Sequence, residues 1–307
     1  MTLFDAARNP RAASRLVGGM TVLNRARMRL AGGVALVGVL LAGCGSTAEP
    51  PKSTPTPTKT FSFARAAPEP HVRCLKFPKS ARKVVIPSTD GIELAGVEVG
   101  TGPRGLVLLH QSGGDLCGWT PYVADLLAAG LHIVAIDFRC AGLSDCDPSL
   151  SGDPFYMPLD RAADAAAAVA YLRGAGATSV AVMGASLGAA VSVVTAGRFP
   201  DQVDAVVALS LFSVSFNASG PTATDVRTPS DAVSRVRAPM LLASAGLDPD
   251  ALPPAEAKLF IAESPARDRC TIVSRPDSGA HGWSMLGTLP DSVQPEVLAF
   301  LAANLKT

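Results

Sequence analysis

The chain has 307 residues, 27 Lys and Arg against 26 Asp and Glu, 48% hydrophobic and 17% charged residues. A net charge of +1 with both signs interspersed provides no basic stripe for a phosphate backbone, which argues against nucleic-acid binding. The apolar fraction is enough for a large core, which excludes a wholly disordered chain.

The near-neutral total hides an asymmetry. Residues 1–43 hold six Arg and one acid, a local charge of +5 that leaves the remainder at −4. Arg25, Arg27 and Arg29 precede Leu30 to Gly43, fourteen uncharged residues drawn from Leu, Ala, Gly and Val. That run is short of the about 20 apolar residues a spanning helix needs. Positive charge ahead of an apolar run of this length is the layout of a secretory signal. The run closes on Leu41-Ala42-Gly43-Cys44, which resembles the lipobox of bacterial lipoproteins. The resemblance implies that residues 1–43 are a signal peptide, that Cys44 becomes a diacylated first residue, and that the mature protein is exported and anchored on the extracytoplasmic face of the cell membrane. The long stretch before the signal makes Met20 or Met28 the expected start of translation. Residues 44–70 read as a tether: positions 45–70 hold six Pro and eight Ser or Thr, a composition that stays extended at about 3 Å per residue. The folded domain is expected over 71–307.

From residue 82 onward, short β-rich apolar runs alternate with helical patterns, which predicts βαβ units and a mostly parallel sheet. Lys83–Pro87 and Ile92–Val99 read as an opening antiparallel hairpin around Asp90-Gly91. Strands are predicted at Leu106–His110, Ile133–Phe138, Val180–Met183, Ala205–Leu211, Pro239–Ala243 and Cys270–Ser274. Helices are predicted at Pro121–Ala129, Leu159–Leu172, Leu187–Gly197, Asp231–Val236, Pro254–Ala262 and Ser292–Asn304. The sum is one α/β domain: a mostly parallel sheet of eight strands with helices on both faces. Only Ser213–Pro239 separates the sixth strand from the seventh, too little for a large lid.

Gly184-Ala185-Ser186-Leu187-Gly188 falls where a strand ends and a helix begins. A nucleophilic hydroxyl needs such a tight turn to project from, and flanking glycines keep strand and helix from colliding there. The helix N-terminus also puts the Leu187 N–H and its dipole where negative charge develops on an attacked carbonyl oxygen. A Gly-rich turn with an N-capping Ser186 is the bland alternative. A second oxyanion donor is expected from Leu108-Leu109-His110-Gln111-Ser112-Gly113-Gly114. Here the chain resembles the α/β-hydrolase superfamily, whose members commonly carry His-Gly at the end of this strand. The resemblance implies Ser112 as the donor, with Gln111 as the alternative, although Gln111 stands where the family has Gly. Asp137-Phe138-Arg139-Cys140-Ala141-Gly142-Leu143-Ser144 matches a structural loop of that family, with Cys140 in a Gly place. Asp137 and Arg139 are expected to form a fold-stabilising pair.

A serine hydroxyl needs an imidazole to take its proton and a carboxylate to orient that imidazole. Of four His residues, only His281 lies on a Gly-flanked loop after the last strand, and the fold's order of Ser, acid, His favours it. The acid should end the strand between them; the resemblance implies Asp248, which matches the family's Asp-Pro position best, with Asp250 as the fallback. The implied activity is cleavage of an ester or amide in a small-molecule or peptide-like substrate through an acyl-enzyme on Ser186, without a cofactor. Dienelactone hydrolases, serine aminopeptidases and carboxylesterases share this layout, and Phe212, Phe216, Trp119 and Trp283 are candidates for lining an apolar pocket. The competing reading is a binding lipoprotein that has kept the fold and lost activity, motivated by Gln111 and Cys140 in Gly places.

With Cys44 assigned to lipid, five Cys remain, so at least one thiol has no partner in the chain. Disulfides are expected: Cys140 and Cys146 are close enough to close a small loop, Cys74 is a candidate to staple the domain entrance to the strand of Cys270, and the pairing is left open. Cys spacing does not suit zinc, and no metal is expected.

Overall fold

A computed structural model describes residues 62–74, 76–146, 160–216, 226–287 and 292–307. The expected signal peptide, Cys44 and all of the tether before residue 62 lie outside the described residues. Within them, β1 (Arg82–Pro87) and β2 (Glu93–Val99) form the expected antiparallel hairpin, turning at Gly91 with φ 88°. The remaining strands are β3 (Arg104–Leu109), β4 (His132–Ile136), β5 (Ser179–Ala185), β6 (Ala205–Leu209), β7 (Met240–Ala245) and β8 (Thr271–Arg275). Their order across the sheet is β1-β2-β4-β3-β5-β6-β7-β8, and every pairing from β4 to β8 is parallel. The carboxyl ends of β3, β5, β6 and β7 therefore share one edge.

Period-two alternation splits each central strand between two cores. In β3, Val107 and Leu109 face a core closed by α4 (Arg161–Gly174), α5 (Leu187–Arg198), α6 (Pro229–Val233) and α7 (Pro254–Ala262). Leu106 and Leu108 face the other core, closed by α3 (Thr120–Ala128) and α8 (Gln294–Asn304). Helices thus cover both faces, and strands buried on both sides read in the sequence as nearly continuous apolar runs. Small residues let α5 lie close: every one of its twelve residues is buried.

The differences from expectation are local. Strand β6 ends at Leu209, because Ser210 takes φ 57° and turns the chain out of the sheet. Helix α6 starts at Pro229 rather than Asp231, because Thr228 and Asp231 cap each other's backbone groups and Pro229 occupies the first helical position. Residues 217–225, part of the segment expected to lack a lid, lie outside the described residues; the described part of the β6–β7 connection carries only α6.

Structure is also described upstream of residue 71. Two short helices, α1 (Phe63–Ala66) and α2 (Pro70–Arg73), lie on the domain as a strap, with Ala64 and Ala67 buried against Ala95. Small apolar residues inside a Pro-rich stretch gave no periodic signal. Of the pairings left open, Cys74 takes Cys117 and not the candidate Cys270, which is free, and Cys140 pairs with Cys146. The strap runs toward the segment after β3, and Arg73 beside Cys74 is held there by Asp115 and Asp137. Asp137 and Arg139 are likewise not partners of each other. Arg139 turns to Asp164 on α4 at 2.7 Å and to Asp90 at 2.6 Å, whereas Asp137 faces the opposite side and binds Arg73 at 2.6 Å. Both arrangements bury charge with a partner, the condition under which buried charge is tolerated.

Candidate active site

Ser186 stands between β5 and α5 with φ 52° and ψ −111°, a conformation that costs a non-glycine residue about 1–3 kcal/mol and persists only where the surroundings enforce it. Its N–H donates to the Leu209 carbonyl of β6 at 2.8 Å, and its carbonyl accepts from Ala190 at 3.1 Å. The glycines on either side are required by space. A Cβ on Gly184 would lie 1.9 Å from the Gly188 carbonyl oxygen, and one on Gly188 would lie 2.2 Å from the Leu109 carbonyl oxygen. The turn is therefore clamped among three adjacent strands, and it presents the Ser186 hydroxyl at the carboxyl edge of the sheet.

His281 and Asp248 reach the same place from loops after β8 and β7. His281 Nε2 is 2.7 Å from Ser186 Oγ, and His281 Nδ1 is 2.8 Å from Asp248 Oδ2. The structure thus brings together three residues separated by 62 and 33 positions in sequence, with Asp248 and not Asp250 hydrogen-bonded to the imidazole. Asp250 contributes its backbone: its N–H donates to Asp248 Oδ1 at 3.1 Å, which orients the carboxylate. The Asp248 side chain is 1% exposed while the imidazole is 30% exposed, so the acid is sealed beneath a ring that a substrate can reach.

The two expected oxyanion donors flank this group. Leu187 opens α5 directly after Ser186, and Leu109 pairs with Gly184 across the β3–β5 ladder, so the loop from His110 to Ser112 leaves the sheet beside the nucleophile turn. The N–H groups of Leu187, Gln111 and Ser112 donate to no described residue. His110 is fixed beneath the loop: Nδ1 is 2.8 Å from the Gln111 carbonyl, and Nε2 accepts the Phe138 N–H at 3.1 Å. Accepting that N–H requires a neutral ring, and burial pushes its pKa down.

Further residues hold His281, and none was apparent from sequence. Ser284 Oγ accepts the His281 N–H at 2.8 Å, Ser210 Oγ accepts the Gly282 N–H at 2.9 Å, and the Tyr122 hydroxyl donates to the Trp283 carbonyl at 2.8 Å. Ser210 directly follows β6 and Tyr122 lies on α3, elements that sequence spacing does not connect to the loop. Of the four aromatics expected to line a pocket, Trp119 and Phe216 are buried in the two cores. Trp283 packs edge-on to Trp119, and Phe212 lines a groove of about 370 Å³ with Leu211, Leu252 and Phe260. Among the described residues, no group of three or more His, Cys, Asp or Glu could hold a metal ion, and no helix is long and apolar enough to cross a membrane.

A family profile described as alpha/beta hydrolase fold matches residues 105–228, the segment from β3 to the start of α6 that contains the Ser186 turn. The chain has the α/β-hydrolase fold. Solved structures agree with this. The esterase Pf2001 of Pyrococcus furiosus superposes with a TM-score of 0.58 at 17% identity, covering 74% of this chain and 93% of its own. A thermophilic esterase from Thermogutta terrifontis gives 0.57 at 17%, covering 73% and 100%. An esterase from Exiguobacterium antarcticum gives 0.52 at 14%, covering 73% and 99%. No curated protein matches the chain. At these identities the likeness is one of fold, and chemistry has to be argued from the site.

Proposed function

We propose that the protein is an exported, membrane-anchored serine hydrolase that cleaves small esters, or related amides, through an acyl-enzyme on Ser186. The observation that carries this reading is the continuous hydrogen-bonded chain from Ser186 Oγ through His281 to Asp248. His281 Nε2 takes the hydroxyl proton as Ser186 Oγ attacks the substrate carbonyl, and Asp248 steadies the ring that becomes positive. The N–H groups of Leu187 and Ser112 receive the developing oxyanion. The proton then passes from His281 to the leaving alcohol or amine. Water, deprotonated by the same ring, attacks the acyl-enzyme, releasing the acid and restoring Ser186.

The names of the structural neighbours support esters as the first substrates to try. Two disulfides support an oxidising compartment outside the cytoplasm. The lipid anchor on Cys44 rests on the sequence pattern alone. A fluorophosphonate probe tests the chemistry: wild-type protein should label and the Ser186→Ala variant should not. A folded wild type that does not label would favour a binding lipoprotein. Mass spectrometry of protein processed by membranes of a lipoprotein-forming host tests Cys44 separately, since diacylation adds a defined mass to the peptide beginning there.

A further inference from the structure

We propose that Gln111 is a positioning residue, whose side-chain carbonyl ties the loop after His281 to the loop bearing the oxyanion donors and so fixes the imidazole relative to the oxyanion hole. The proposal deepens the hydrolase reading and rests on it.

Gln111 stands where the resembling superfamily has glycine, which has no side chain to make such a tie. Its Oε1 accepts the Trp283 N–H at 3.3 Å, two residues beyond His281. The fit around that oxygen is close: a Cβ on Gly282 would lie 2.2 Å from it, and Gly282 takes φ 55°, so the residue after His281 is glycine for both reasons. The backbone of Gln111 is itself fixed, because its carbonyl accepts the Gly114 N–H at 3.2 Å and meets His110 Nδ1 at 2.8 Å. The Trp283 N–H can only face an acceptor, which decides which end of the amide is oxygen. The amide nitrogen makes no hydrogen bond among the described residues, so Oε1 is the side chain's single polar tie.

Trp283 is gripped from the same segment on its other sides. Its indole lies against Gly114 and Gly118, where a Cβ would come within 2.4 and 2.1 Å of the ring. The remaining holders of the loop, Ser210, Ser284 and Tyr122, belong to the turn after β6, to the loop itself and to α3. Among the described residues, Gln111 alone carries both a backbone N–H at the oxyanion loop and a side chain hydrogen-bonded to the histidine loop. Relative placement of proton acceptor and oxyanion donors matters only as the bond to Ser186 forms. Loosening it should therefore lower the rate of acylation more than binding or stability.

The test compares Gln111→Leu, which removes the acceptor at similar size, with Gln111→Glu, which keeps one, in the full-length protein. Fluorophosphonate labelling and p-nitrophenyl acetate hydrolysis are followed across pH, alongside thermal melting. Gln111→Leu should label and turn over about three- to tenfold more slowly, as expected for one lost hydrogen bond, with KM and melting temperature unchanged. Gln111→Glu should recover the wild-type rate at high pH and move the acidic limb of kcat/KM upward by about half a pH unit, since a carboxylate favours the protonated ring. Labelling of Gln111→Leu at the wild-type rate, or equal loss of rate and melting temperature in both variants without movement of the limb, overturns the proposal while leaving the hydrolase reading intact. Absence of labelling in the wild type overturns both.

Discussion

Replacing Asp248 with Asn should reduce kcat by about 10³–10⁴, whereas Asp250→Asn should leave it within about twofold, and the structure gives the reason for both. Asp248 Oδ1 accepts the Asp250 N–H at 3.1 Å, and Oδ2 meets His281 Nδ1 at 2.8 Å. An asparagine in this place must keep its oxygen toward the Asp250 N–H, since the reverse orientation would set two donors against each other. Its NH2 group then faces Nδ1, which is forced to accept. The ring proton moves to Nε2, 2.7 Å from Ser186 Oγ, so the nitrogen meant to take the serine proton already holds one. Loss of general-base catalysis through the wrong tautomer is about 10⁴ in the serine-protease precedent, or about 5.5 kcal/mol at 1.36 kcal/mol per decade. Among the described residues the Asp250 side chain makes no hydrogen bond or ion pair with the ring, and its contribution, a backbone N–H, survives the substitution. Initial rates with p-nitrophenyl acetate at pH 8, with melting temperatures to verify folding, decide the matter. A Asp248→Asn variant within tenfold of wild type, or a larger loss from Asp250→Asn, would refute the assignment of the acid.

Gly188→Ala should be among the most damaging single-methyl changes, because the new Cβ meets backbone, the Leu109 carbonyl oxygen at 2.2 Å, which cannot rotate away; a cost at or above the usual ~1–3 kcal/mol of overpacking should lower the melting temperature by about 5–10 °C or leave no soluble protein. Replacing Cys74 and Cys117 by Ser opens a loop with 43 residues of separation, worth about 4 kcal/mol in the chain-entropy description, and calorimetry should show a melting temperature lower by about 10 °C. His110 must stay neutral to accept the Phe138 N–H, and its folded-state pKa lies below its ordinary value. Its share of stability is therefore full above about pH 6.5 and is lost as pH falls through the folded value, so the melting temperature should decline in the window below about pH 6.5. A His110→Asn variant should show a flatter decline over the same window.

Much of this was legible in the linear chain because the periodicities are strong. Strands buried on both faces appear as unbroken apolar runs, and the Gly184–Gly188 motif falls between a run of that kind and a helical one. The order Ser186, Asp248, His281 then follows from the topology of the fold. Where the sequence misled, distance was the cause. Cys74 lies 43 positions from Cys117, and nothing local distinguishes that partner from Cys270, because pairing depends on where the strap crosses the sheet. The same holds for Asp137 and Arg139, two positions apart and expected as a pair, yet drawn to Arg73 and Asp164 on opposite faces.

The alternation of strand and helix and the glycines that shape the turn at Ser186 are local properties of the chain, set by backbone sterics and by the period of its apolar residues, whereas Ser186 and His281 were picked out as a pair by the resemblance. The hydrogen bond of Asp248 to His281, the disulfide partner of Cys74, and the convergence of Gln111, Ser210 and Tyr122 on the loop of His281 came only with the tertiary structure. Each is a contact between segments many residues apart, whose distance is set by how strands stack across a sheet and not by anything encoded in neighbouring positions.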